Sequence, residues 1–393
     1  LKILQVCPIF PPQPGEFASG VTQVVYNISK ELISRGHEVE VYTTNALDLR
    51  RKIKSDLLVI DGIKVHYFPY IMHYYTFFLT PSLIPTLKRN LKQFDIVHIH
   101  DYRTFQAAIV AHYAKEISIP YVMQAHGSLP HYGAKQTFKR LYDILLGYRL
   151  LKNASRVIAL TPMEALQYKN IGVNQDRIEI VPNGINLSEF DTLLERGQFK
   201  RKFGLSDSQQ IILCLGRIHK IKGLDLVVKA FAQLSKNFSE VRLVIAGPDD
   251  GYLPALKRLI KELNIGEKVI LPGPVYGVGK LEAYVDTDVY VLPSSYEIFG
   301  ITVLEAMACG TPVITTDTCG IANWVNSHGG YSVPFNEDEL RRVLLTLLTD
   351  DGLRIRFGQS GKKLVVTKFT WDKIVVLLEK LYRETVAKPV IAI

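Results

Sequence analysis

The feature that most constrains this chain is a twofold alternation of short apolar runs with amphipathic helical stretches. The first round opens with a strand over residues 1–6 and a helix over 20–35 that puts Val21, Val24, Val25, Ile28 and Leu32 on one face. Strands at 38–43, 96–99, 120–124, 156–159 and 178–181 follow, with helices at 105–115, 138–151 and 162–169 between them. The second round has strands at 211–215, 241–246, 269–271, 289–292 and 313–315. Its helices fall at 224–235, 253–263, 279–284, 301–309 and 337–348. Strands that are apolar throughout, separated by helices, predict parallel sheets covered on both faces. The fold class is therefore α/β, with two successive doubly wound units. The boundaries read as 1–190, 191–369 and a terminal segment 370–393. The seam is the charged, irregular stretch 186–207. In the last segment Thr370 is the expected N-cap, and Ile374, Leu377, Leu378 and Leu381 form an apolar stripe expected to pack back on the first domain.

Composition narrows the function classes. At 393 residues and 47% hydrophobic the chain is an ordinary globular protein, and no apolar run reaches the roughly 18 residues of a membrane span. The N-terminal apolar stretch is too short for a signal-peptide core. The net charge of +9 leans towards the first half and suits phosphate-bearing ligands or an anionic membrane face. Four cysteines, Cys7, Cys214, Cys309 and Cys319, form no C-x-x-C pair, so the expected compartment is the cytoplasm.

Ligands of open α/β sheets sit beyond the carboxyl ends of strands, so the loops there carry the chemistry. The richest follows the 289–292 strand: Ser294-Ser295-Tyr296-Glu297-Ile298-Phe299-Gly300-Ile301-Thr302, running into a helix that contains Glu305. A helix start offers free N–H groups to an anion, and two carboxylates can accept from sugar hydroxyls. The second is Gly216-Arg217-Ile218-His219-Lys220-Ile221-Lys222-Gly223, also between strand and helix. Arg217 and Lys222 are cations suited to a developing diphosphate. His126, in Gln124-Ala125-His126-Gly127, could orient a reacting sugar or simply hold its loop. Gly15 to Gly20 lacks G-x-G-x-x-G spacing. Three spellings are set aside. Asp286-Thr287-Asp288 reads as turn chemistry rather than a metal motif. The stretch from Gly273 to Lys280 fails the phosphate-loop pattern. His98-Ile99-His100-Asp101 is explained by alternation along a strand.

Together these segments resemble the retaining GT-B glycosyltransferases of family 4. The resemblance rests on Glu297 and Glu305 with seven residues between, Phe299-Gly300, and Glu305-Ala306-Met307-Ala308-Cys309-Gly310-Thr311-Pro312-Val313. It rests also on Gly216-Arg217 with Lys222-Gly223, Val181-Pro182-Asn183-Gly184-Ile185, and Arg35-Gly36-His37-Glu38-Val39. It implies two Rossmann-like domains facing across a cleft, the second holding a nucleotide-sugar such as a UDP- or GDP-sugar. By that resemblance Arg217 and Lys222 bind the diphosphate, Glu305 the ribose and Glu297 the donor sugar. The backbone of Phe299, Gly300, Ile301 and Thr302 approaches sugar and phosphate, and His126 faces the reacting centre. The expected reaction is metal-independent transfer to a hydroxyl with retention, without a cofactor and without nucleic acid. Ser19-Gly20 replaces the family's usual Gly-Gly pair, so the contribution of Gly20 is the weakest of the set. A GT-B sugar-nucleotide epimerase and a non-enzymic two-lobed sugar-binding protein are the alternatives.

The acceptor has no motif. A lipid-linked or membrane-associated acceptor at the inner membrane face is the expectation. It rests on the aromatic stretch Tyr67, Phe68, Tyr70, Ile71, Met72, Tyr74, Tyr75, Phe77 and Phe78 with Lys88, Arg89 and Lys92, whose alternative reading is a core-packed segment with solvated lysines. A second basic strip comprises Lys135, Lys139, Arg140, Arg149, Lys152 and Arg156, with only Asp143 against it.

Overall fold

A computed structural model describes residues 1–13, 20–74, 76–131, 136–190 and 195–387, with Ser327 by its backbone alone. The chain divides into two α/β units. One runs from Leu1 to Gly184 and resumes at Trp371; the other is Ile185–Thr370. The division thus falls six residues before the position read from the sequence.

The first unit contains β1 (Lys2–Val6), β2 (Glu38–Thr44), β3 (Leu57–Ile60), β4 (Ile63–Phe68), β5 (Met72–Tyr74), β6 (Phe77–Leu79), β7 (Ile96–His100), β8 (Tyr121–Gln124), β9 (Arg156–Ala159) and β10 (Ile178–Ile180). Eight of them form one sheet in the order β10-β9-β8-β7-β1-β2-β4-β3. Only the β3–β4 pair is antiparallel. β5 and β6 form a separate hairpin. Because the chain winds outward from β1 in one direction and from β7 in the other, the carboxyl ends of β1 and β7 flank a topological switch point.

The second unit contains β11 (Gln210–Leu215), β12 (Val241–Ala246), β13 (Val269–Gly273), β14 (Val289–Leu292), β15 (Val313–Thr316) and β16 (Gly330–Val333). All pair in parallel, in the order β13-β12-β11-β14-β15-β16, so its switch point lies between β11 and β14. Its helices bury the apolar faces that the sequence pattern shows. Val227, Phe231, Leu344 and Leu347 pack with Ile212, Leu243 and Val291 in one cluster.

The helix Trp371–Ala387 belongs to the first unit. Its Ile374, Val375, Leu378 and Leu381 pack with Ile3, Val24, Ile28 and Leu32. Two sequence expectations fail here. Among the described residues the buried Thr370 hydroxyl has no hydrogen-bond partner, so it does not cap the helix. Leu377 is 45% exposed, and the buried stripe uses Val375 instead. Replacing Leu377 with Lys is accordingly expected to change unfolding free energy by no more than about 0.5 kcal/mol, measurable by urea denaturation.

The aromatic stretch is also corrected. Tyr67, Phe68, Tyr70 and Phe78 are core residues. Tyr67 and Phe68 lie on β4 and Phe78 on β6, with Tyr70 between β4 and β5; Tyr42 makes an edge-to-face contact with Phe68, and Tyr70 makes one with Phe78. Ile71, Met72 and Tyr74 remain exposed, and Tyr75 lies outside the described residues.

Candidate active site

The switch point of the second unit brings together the two loops that the sequence singles out. β11 leads into 216–223 and β14 into 293–300. Gly223 locks them: it has φ 62°, and a Cβ there would stand 2.0 Å from the Pro293 carbonyl oxygen. Only glycine permits that approach. Ser295 N–H donates to the Ile221 carbonyl at 2.9 Å, and His219 Nδ1 accepts from Ile221 N–H at 3.1 Å, closing a short 3₁₀ turn over Lys220–Lys222.

That turn aims Lys222 at Glu297. The two form a hydrogen-bonded ion pair, each side chain about one-fifth exposed. Glu297 is held by its own backbone, donating to the Thr318 carbonyl at 3.3 Å and accepting from Gly320 N–H at 2.8 Å. A cation and an anion fixed together at a strand's carboxyl edge can address a phosphate and a hydroxyl side by side. Arg217, expected beside them, pairs instead with Asp250 at 2.5 Å and is 64% exposed.

The helix Ile301–Ala308 starts at Gly300, whose φ of 79° and 2.8 Å approach to the Leu292 side chain exclude a Cβ. Its first-turn N–H groups have no partners within the helix. Ile301 stands in that first turn, half-buried. Thr302 accepts from the Tyr290 hydroxyl at 2.6 Å, which pins the turn to β14. Phe299 turns its ring inward against Trp324 and Phe369, so only its backbone can meet a ligand.

Glu305 is nearly buried. Its Oε1 accepts from Lys280 Nζ at 2.8 Å and its Oε2 from the Tyr284 hydroxyl at 2.8 Å. Burial and the neighbouring carboxylate raise the Tyr284 pKa well above its ordinary value, so it acts as a donor. Lys280, Tyr284 and Asp250 were missed in the sequence. The signal for Lys280 was the phosphate-loop-like stretch set aside above. Asp286 accepts from the amides of Gly197 and Lys200, and Asp288 accepts from Ile211 N–H at 2.8 Å. Both carboxylates of the D-x-D spelling therefore hold backbone, as turn chemistry requires.

In the first unit His126 follows β8 in a tight turn. His126 (φ 53°) and Gly127 (φ 80°) both have positive φ, and Ser128 N–H donates to the Ala125 carbonyl at 3.1 Å, the pattern of a type I′ turn. A histidine in the left-handed region is uncommon and needs surrounding support. Tyr168 hydroxyl accepts from Ala125 N–H at 2.9 Å, and Glu164 Oε1 accepts from Gly127 N–H at 2.6 Å. Arg103 donates to the carbonyls of Ser128 and Leu129. The ring is held too. His100 Nε2 donates to Gln5 Oε1 at 2.6 Å, leaving its Nδ1 to accept from His126 Nε2 at 2.9 Å. That arrangement keeps His126 in one neutral tautomer with Nδ1 unprotonated. Burial lowers the pKa of His126 to about 3 and lowers that of His100 as well, so both are neutral at pH 7. Gly20 opens the helix Gly20–Ser34, and among the described residues nothing lies within 4 Å of where a Cβ would stand. The remainder of the Gly15–Gly20 loop lies outside the described residues, as does Lys135.

A family model described as glycosyltransferase family 4 matches residues 18–189, and one described as glycosyl transferases group 1 matches residues 195–364. An uncharacterized glycosyltransferase of Methanocaldococcus jannaschii is 28% identical, over 98% of each chain. A D-inositol 3-phosphate glycosyltransferase of Xylanimonas cellulosilytica is 27% identical, over 96% of this chain and 94% of its own. Among solved structures, Anabaena HepE in complex with UDP and glucose superimposes with a TM-score of 0.77 at 18% identity, covering 98% of this chain and 99% of that one. Two family models that share out most of the chain, and the fold that goes with them, lead to one conclusion: this chain belongs to the family 4 glycosyltransferases, with the GT-B fold.

Proposed function

We propose that this glycosyltransferase moves a sugar from a UDP- or GDP-sugar to a hydroxyl acceptor, with retention of configuration and without a metal. The observation that carries the reading is the Lys222–Glu297 pair beside the start of the helix Ile301–Ala308, at the second unit's switch point. Lys222 and Arg217 neutralise the leaving diphosphate. The amides of Phe299 to Thr302 add partial positive charge at the helix start. Glu297 accepts from hydroxyls of the donor sugar, and Glu305, steadied by Lys280 and Tyr284, accepts from the ribose. Charge on the diphosphate is met by side chains and backbone, which is why no metal is invoked. His126, neutral and fixed in one tautomer, offers Nδ1 to the reacting sugar, and Gly20 leaves room for acceptor or phosphate. The UDP and glucose in the Anabaena structure support a nucleotide-sugar donor. The acceptor is a lipid-linked or membrane-associated glycan at the cytoplasmic face. No helix among the described residues is long and apolar enough to cross a membrane.

Thermal stabilisation by UDP, GDP and ADP, with EDTA present, tests the donor site. One nucleotide at about 100 times its dissociation constant should add roughly 2.7 kcal/mol. The gain should be mostly lost in Glu305→Ala. Equal stabilisation of the variant, or none of the wild type by any nucleotide, would overturn the assignment.

A further inference from the structure

The helical segment from Gln136 to Asn153, which includes a π-helical turn over Asp143–Gly147, presents two contrasting faces. Tyr142, Asp143, Gly147, Leu150 and Leu151 are buried. Outward stand Leu141, Ile144, Leu145, Leu146 and Tyr148, with Ile144 67% exposed. That is an unusual density of large apolar side chains for a solvent-facing helix. Interleaved with them are the exposed cations Arg140, Arg149 and Lys152. The only acid of the segment, Asp143, is turned inward, where it accepts from Arg103 at 2.9 and 2.7 Å and meets His131 Nε2 at 2.7 Å. The outward face is therefore apolar and basic with no acid of its own.

Two neighbours extend this face. The β5–β6 hairpin packs on its start, Tyr74 and Phe77 lying edge-on to Phe138, and adds the exposed Ile71 and Met72. On the other side a cavity of about 280 Å³ opens between this segment and the helix Phe105–Glu116. Tyr121 and Leu150 help to floor it, and Lys115, His112 and Arg149 stand among its walls.

We propose that this face is a docking surface for an anionic phospholipid membrane. Apolar side chains would enter the acyl boundary while Arg140, Arg149 and Lys152 meet the phosphates, and the cavity would admit a headgroup beside Lys115 and Arg149. A second copy of the chain fits less well. A two-fold contact sets the same patch against itself, and here that would oppose Arg140, Arg149 and Lys152 to their copies with no outward acid in the segment to offset them. The inward side gives the docking a consequence. Asp143 grips Arg103, which holds the carbonyls of Ser128 and Leu129 in the His126 turn. Membrane contact and the turn proposed to face the sugar thus share one helix. The inference deepens the acceptor half of the proposed function and rests on it.

Co-sedimentation with phosphatidylcholine vesicles, with and without 30% phosphatidylglycerol, at low and high salt, tests it. The wild type should bind the anionic vesicles, less so at high salt, and bind neutral ones poorly. The double variants Ile144→Asp with Leu145→Asp, and Arg140→Glu with Arg149→Glu, should each bind at least about tenfold more weakly. Both change exposed positions, and an unaltered melting temperature checks their folding. Leu377→Lys, on another surface, should bind as the wild type does. Absence of wild-type binding to anionic vesicles would overturn the proposal. So would undiminished binding by the folded variants, or a dimer in light scattering that the Ile144→Asp with Leu145→Asp variant dissolves. Nucleotide stabilisation in the same preparations separates the two readings. Nucleotide binding without vesicle binding sinks the membrane face alone, and the reverse sinks the donor site alone.

Discussion

Lys222→Ala is expected to lower the turnover number of sugar transfer by about 10²–10³, the range for losing one preorganised charge stabiliser in an active site. Two effects act in the same direction. The variant removes a cation from the place where the diphosphate gains charge. It also uncovers the Glu297 carboxylate, which the ion pair otherwise neutralises and which would then repel the leaving group. Folding stability should fall by about 1–3 kcal/mol, because the variant leaves the mostly buried Glu297 carboxylate without its cation, and a melting curve separates that loss from the loss of turnover. Arg217→Ala should be milder, about tenfold and mainly in KM, since Arg217 is well exposed and bound to Asp250 before any ligand arrives. Steady-state kinetics of both variants with the nucleotide-sugar that stabilises the wild type is the measurement. A Lys222→Ala enzyme with near-normal turnover would remove this residue from the mechanism.

The strand-end loops were legible because their chemistry is local. Arg217, Lys222, Glu297 and Glu305 announce themselves by residue type and by position after an apolar strand. Their partners were not legible, because each pairing is made by tertiary folding. Asp250 reaches Arg217 from the loop after β12, and Lys280 and Tyr284 reach Glu305 from a neighbouring helix. Periodicity failed where packing uses small residues. The helix Asp351–Lys368 went unread because Gly358 and Gly361 stand in its contact face and interrupt the apolar spacing of Leu353, Phe357, Leu364 and Val365. A Cβ on Gly358 would stand 2.0 Å from the Gly310 carbonyl oxygen, and one on Gly361 would stand 3.2 Å from Met307. Composition could not decide the aromatic stretch. A run of rings looks the same whether it faces lipid or core, and here four of them, Tyr67, Phe68, Tyr70 and Phe78, are buried. The basic strip told half of its story. The sequence showed one acid against it, and only the fold shows that the acid points inward.

Glu164 was not singled out at all, yet a change there is expected to have the second large effect. It is fully buried on the helix Pro162–Asn170. Its Oε1 accepts from Gly127 N–H at 2.6 Å and its Oε2 from Leu160 N–H at 2.7 Å. Burial raises its pKa from 4.5 to about 7, with the two amide hydrogen bonds opposing that rise. In the unfolded chain the carboxyl loses its proton near 4.5. Between about pH 4.5 and 7 the folded state therefore binds more protons than the unfolded one, and stability falls as pH rises through that window. A difference of about 2.5 pH units corresponds to about 3 kcal/mol, present in full below pH 4.5 and gone above pH 7. Glu164→Gln cannot titrate, so its own pH dependence should lack this slope. It sets an amide NH₂ against one of the two backbone donors and should cost about 1–3 kcal/mol at low pH. Glu164→Ala leaves both donors unpaired and should cost more. Urea denaturation of wild type and Glu164→Gln at pH 5 and pH 8 decides it. The wild type should lose roughly 3 kcal/mol more than the variant between the two, and parallel losses would show that Glu164 stays ionised in the fold. Because Gly127 N–H is one of the two donors, the Gln and Ala variants should also loosen the turn that holds His126 at positive φ. The expected sign is a fall in turnover larger than any change in nucleotide affinity, since the nucleotide is assigned to the other unit.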